Sequence, residues 1–150
     1  MNPLRRNVLK STFTLAAIAG LLPTRVFAAQ WNKAAFESKN VADTLKGLGL
    51  GTAADSKDII IKAPEIAESG NNVQIEVTSN IPNTESIALL VDKNPSPLAA
   101  QFDLSNGAEG YVSTRIKMSQ TSNVRIMVKA GGKLFTATKE VKVTIGGCGG

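Results

Sequence analysis

The chain contains no histidine. That absence removes the Ser-His-Asp and Cys-His catalytic units, and it removes imidazole as a ligand for zinc, copper or haem. Cysteine occurs once, at Cys148, so no internal disulfide and no Cys-x-x-Cys redox or haem-attachment pair can form. Aromatic residues make up 5% of the chain, too few for a base-stacking surface. No uncharged run is long enough to span a bilayer, which takes about 20 residues. Gly47, Gly49 and Gly51 lack the lysine and hydroxyl that would follow in a phosphate-cradling loop. Glu65 and Glu68, three apart beside Pro64, read as a polar loop rather than a catalytic carboxylate pair. Neither a cofactor nor a metal is expected, and any covalent chemistry falls to Cys148.

What is present begins with a targeting segment. Arg5-Arg6-Asn7-Val8-Leu9-Lys10 precedes an uncharged run from Ser11 to Leu22, and Val26-Phe27-Ala28 supplies a small-residue cleavage site. This is the layout of a signal peptide over residues 1–28. The paired arginines resemble the bacterial twin-arginine export signal, the plainer alternative being a basic signal of the general secretory route. The expected location is the periplasm. Cleavage after Ala28 removes four of the 17 basic residues and no acid, leaving 13 against 12, a net charge of +1. The basic character of the full chain therefore resides largely in the part discarded, and it carries no nucleic-acid reading. In an oxidising compartment, an odd cysteine means an intermolecular disulfide or a free thiol.

Residues 29–145 are expected to form one domain. From about residue 30 to 47, Trp31, Ala34, Ala35, Val41, Ala42 and Leu45 recur at helical spacing, with Ser38 or Asn40 as a cap and Gly47 and Gly49 as terminators. One or two short helices laid on the domain's own core are the expectation, ahead of a partner-binding amphipathic helix. From about 57 to 145 the period changes to two. Val73, Ile75 and Val77 alternate with polar neighbours, as do Val112 to Met118 and Val124 to Val128. The last two segments are predicted to bury one face and wet the other, with Arg125, Met127 and Lys129 outward. Breakers at Asn80–Asn83, Lys93–Pro97, Ser105–Gly107 and Gly131-Gly132 separate the strands, and Lys139-Glu140 divides the last two. Seven or eight short strands indicate a mainly β fold, an immunoglobulin-like antiparallel β-sandwich without the antibody cysteine pair. The lysines and arginines from Arg115 to Lys142 read as solvated outward positions rather than an anion-binding face.

The chain closes on Gly146-Gly147-Cys148-Gly149-Gly150. Glycine has no side chain to bury and loses the most freedom on ordering, so residues 146–150 are predicted to form a mobile arm presenting one thiol. No cation or histidine stands nearby in sequence to activate it; Lys142 is six positions back, and the terminal carboxylate disfavours a second negative charge. Cys148 is thus a poor catalyst and a good handle. Three residues beyond Ile145 place the sulfur about 10 Å from the strand end. Four glycines let such an arm enter a channel too tight for larger residues.

Val141 through Gly150, behind the export signal and a β-sandwich of this length, resembles the SoxY family, the sulfur carriers of the bacterial thiosulfate-oxidising Sox system. The resemblance implies that Cys148 carries substrate covalently, with Gly146, Gly147, Gly149 and Gly150 as the carrier arm, and that the chain is not itself an enzyme. It implies a heterodimer with SoxZ, loading by the haem enzyme SoxAX, hydrolysis by SoxB and, in some organisms, oxidation by SoxCD. The alternative is an exported immunoglobulin-like module whose tail cysteine only makes an intermolecular disulfide, including a disulfide-linked dimer. A carboxylate carrier of ubiquitin type, prompted by Gly149-Gly150, is set aside because its activation needs ATP and the strand pattern is too long and too β-rich.

Overall fold

A computed structural model describes residues 32–105 and 107–144. The expected signal peptide and carrier arm, with Trp31 and Ile145, lie outside the described residues. Helix α1 spans Lys33–Glu37 and α2 spans Val41–Gly47. Each is started by an asparagine. The Asn32 carboxamide accepts from Ala35 N–H at 3.2 Å, and that of Asn40 accepts from Asp43 N–H at 2.8 Å. Both satisfy donors that a first helical turn leaves free. The expected helical segment is therefore two short helices, α2 capped by Asn40.

Among the described residues nine strands follow: β1 Ala54–Asp55, β2 Ile59–Lys62, β3 Ile66–Ala67, β4 Val73–Ser79, β5 Thr84–Val91, β6 Leu98–Asp103, β7 Tyr111–Ile116, β8 Ser122–Ala130 and β9 Lys133–Val143. The larger sheet runs β1-β9-β8-β5-β6, with β3 also on β9, and the smaller runs β2-β4-β7. The fold is mainly β, an immunoglobulin-like sandwich, as the two-residue period predicts. Its interior is made by Val73, Ile75 and Val77 of β4, Val112 and Ile116 of β7, and Ile87, Leu89, Val124, Ile126, Val128 and Val141 of the larger sheet. Each such side chain contributes about 1.5–3 kcal/mol on leaving water.

Three departures from the sequence reading have physical causes. Lys139-Glu140 does not divide the last strand, because both residues stay in register with β8, facing Val124 and Asn123. The Lys139 ammonium bonds the Ala63 carbonyl at 2.8 Å instead of breaking the ladder. Secondly, the outward face of β8 is solvated only in part: Asn123 and Lys129 are exposed and Arg125 is half-buried, but Met127 is covered. Met127 is buried with Ala88, Leu90, Leu98 and Ala35, beneath a layer that includes Phe36, Leu45 and Leu48. The helices cover that sheet face, so β5 is buried on both sides. Thirdly, β1 and β3 pair with β9 in parallel, at Phe135–Thr136 and Lys142–Val143. These two-residue strands are too short to show a period.

The turn between β8 and β9 does match its sequence signal. Gly131 and Gly132 both hold positive φ, 54° and 72°, as a two-residue hairpin turn requires.

Candidate functional site

The predicted site residues Cys148, Gly146, Gly147, Gly149 and Gly150 lie outside the described residues. The structure does show how the chain is held as far as Thr144, four residues before Cys148. Strand β9 runs one position past Lys142 to Val143, while β8 begins at Ser122, opposite Val141. From Lys142 to Thr144 the backbone is held alternately from two sides. On one side Lys142 N–H donates to the Glu65 carbonyl and Thr144 N–H to the Ala67 carbonyl, each at 3.0 Å. The Thr144 hydroxyl lies 3.3 Å from the carbonyls of both Ala67 and Glu68. On the other side Val143 N–H donates to the Thr121 hydroxyl at 2.9 Å, and that hydroxyl lies 3.4 Å from the Val143 carbonyl, as its donor.

The loops around this exit are laced to one another. The Asn94 carboxamide donates to the Lys117 carbonyl at 2.8 Å and accepts from Ser119 N–H at 2.9 Å. Lys93 N–H donates to the Ser122 hydroxyl at 3.0 Å. Asp92, where the first of these loops leaves β5, pairs through both oxygens with Arg125 at 3.2 and 3.0 Å. That hydrogen-bonded carboxylate holds the Arg125 guanidinium above its ordinary pKa, against the opposing effect of burial. Gly70 closes the far side: its carbonyl accepts from Met118 N–H at 2.7 Å.

Among the described residues no group of three His, Cys, Asp or Glu could hold a metal, and every buried side-chain polar atom has a partner. Glu65 and Glu68 are exposed loop residues, as read from sequence. Of the charges predicted to be solvated, Arg115, Lys117, Lys129, Lys133 and Lys142 are exposed and Arg125 and Lys139 half-buried; Lys129 pairs with Glu85 at 3.0 Å, and Arg115 donates to Gln74 at 3.1 Å. The Lys129 partnership and the Gly132 N–H hold the Glu85 carboxyl below its ordinary range, at the end of the sandwich away from the exit. Of the large apolar side chains left exposed, Ile66 stands at the exit, its backbone paired with Lys142. A cavity of about 420 Å³ between Ile81, Leu104 and Gly110 opens at the opposite end.

Sequence reading missed Thr121, Ala67 and Glu68 as holders of the exit. An isolated threonine between strands and an Ile-Ala pair in a polar loop carry no pattern; only the register of β9 against its neighbours reveals them.

The family model for the sulfur oxidation protein SoxY matches residues 46–148, a span that reaches Cys148. Among solved structures, the sulfur carrier protein SoxY from Chlorobium limicola f thiosulfatophilum is 40% identical, with a TM-score of 0.61, covering 69% of this chain and 96% of that one. A superoxide reductase (neelaredoxin) from Ignicoccus hospitalis is 22% identical, with a TM-score of 0.52 over 57% of this chain and 80% of that one. The second likeness is one of fold alone. No curated relative matches the chain.

Proposed function

The chain belongs to the SoxY family of sulfur oxidation proteins, and from that premise we propose that it carries sulfur intermediates covalently on the Cys148 thiol and presents them to partner enzymes. The observation that carries this reading is one of position. The only thiol of the chain stands four residues beyond Thr144, the last described residue, which is hydrogen-bonded to the sandwich, and it is flanked by glycines on both sides. Support also comes from what the chain lacks. Without histidine the chain has none of the imidazole-based catalytic units, which fits catalytic groups supplied by other proteins.

Loading joins the Cys148 thiolate to the outer sulfur of thiosulfate. One S–S bond forms, giving Cys–S–S–SO3⁻, and two electrons leave to the haem enzyme SoxAX. Hydrolysis by SoxB then breaks the S–SO3 bond: water supplies the fourth oxygen of sulfate, two protons are released and Cys–S–S⁻ remains. SoxCD, where present, oxidises that outer sulfur. The sandwich serves as the recognised body, paired with SoxZ, and export on a twin-arginine signal over residues 1–28 places the carrier in the periplasm.

Intact-protein mass spectrometry after incubation with thiosulfate and the loading enzyme tests the reading. The expected product gains two sulfur and three oxygen atoms, and Cys148→Ser gains nothing and supports no turnover. Turnover by Cys148→Ser at the rate of the native chain would overturn it. Full activity of a thiol-blocked chain would favour the structural-module alternative.

A further inference from the structure

If Cys148 is a carrying thiol, the point at which its arm leaves the fold sets where the thiol can go. On one of its two sides that point is held by a single side chain from a neighbouring loop. Strand β8 ends its pairing with β9 at Ser122 and Val141, so Val143 has no strand backbone on that side. The Thr121 hydroxyl stands where the ladder would have continued, accepting from Val143 N–H at 2.9 Å and directed at its carbonyl at 3.4 Å. Its own placement is fixed in advance. Ser119, two residues before it, is tied to Asn94 through both its N–H and its hydroxyl, at 2.9 and 3.1 Å. The opposite side of β9 is held by β3, a strand of two residues, and by the carbonyls of Glu65 and Glu68 that flank it.

We propose that Thr121 is a positioning residue for the carrier thiol: its hydroxyl keeps β9 anchored through Thr144, so that the arm starts there rather than further back. This rests on the carrier reading of Cys148. From Thr144 to Cys148 is four residues (148 − 144), about 13–14 Å of extended chain; from Val141 it is seven (148 − 141), about 23–25 Å. The effective concentration of a tethered group falls with roughly the three-halves power of tether length. Retreat of the root to Val141 therefore dilutes the thiol about twofold at a site reached by the short arm. The chemistry of the sulfur itself is untouched, since Thr121 acts only on the backbone of Val143.

The test compares the native chain with Thr121→Val, which keeps the shape and removes the hydroxyl, and with Thr121→Ser, which keeps the hydroxyl. Hydrogen exchange at the Val143 amide is expected to quicken about tenfold in Thr121→Val and to return near native in Thr121→Ser. With thiosulfate and the loading enzyme, kcat for adduct formation is expected to fall about twofold in Thr121→Val, with KM for the carrier unchanged because the docking body is intact. All of the protein still loads at the end point, and a small aromatic disulfide reagent reacts with Cys148 at the native rate. Unchanged exchange at Val143, or faster exchange with unchanged kcat, overturns the proposal. A native chain that takes up no adduct removes the carrier reading and the positioning role together, whereas the exchange arm reads the anchoring without any enzyme.

Discussion

Gly70 is the residue whose identity the arm exit depends on most directly. A Cβ built there would fall on the Met118 carbonyl oxygen, with the Val143 side chain 3.1 Å away. The obstacle is backbone, so it cannot step aside as a flexible side chain would. Gly70→Ala is expected to push the 117–121 loop away from the 68–70 loop, at a cost of about 1–3 kcal/mol. Urea denaturation checks the magnitude, and quickened exchange at Val143 checks the place, since Thr121 moves with the displaced loop. Neither consequence could be read from the sequence, where Gly70 is one glycine in a polar stretch. Cys148 is the opposite case. Its isolation, its flanking glycines and the lack of histidine are properties of the chain alone, so the reading of it as a handle needs no coordinates.

At the scale of elements, strands covered on one face were legible and the layer over the second face was only half so. Val73, Ile75 and Val77 alternate because one side of β4 meets the core and the other meets water. In β8 the same alternation misled, since Met127 looks outward in the pattern and is covered by the helices in the fold. Coverage of a sheet's second face depends on where a distant segment lands, which a local period does not encode. The helical layer is held close by Gly47, whose carbonyl accepts from the Asn32 carboxamide at 2.8 Å. A Cβ on Gly47 would meet the Ala35 N and Cα at 2.9 Å. Alanine gains about 1 kcal/mol in helix propensity over glycine, and the clash with rigid backbone costs about 1–3 kcal/mol. Gly47→Ala is therefore expected to destabilise on balance, with lost exchange protection confined to α1 and α2 while Ile126 and Val128 keep theirs. Retained protection of Ala35 with raised stability would show that the two helices can separate freely.

At the scale of the whole molecule, the described core closes without the terminal glycines: every buried apolar side chain among the described residues lies from Ala35 to Val141. The anchors past Val141 are the partly buried Val143 side chain on the core and hydrogen bonds at one rim, each bond contributing about 1 kcal/mol. A chain ending at Ile145 should therefore melt within about 2 °C of the native chain, a small shift because no core burial is lost. The same truncation should abolish sulfur loading. Calorimetry and intact-mass analysis on one preparation check both halves. Melting lowered by 10 °C or so would mean that the terminal residues pack on the sandwich, and the arm would then be part of the fold it leaves.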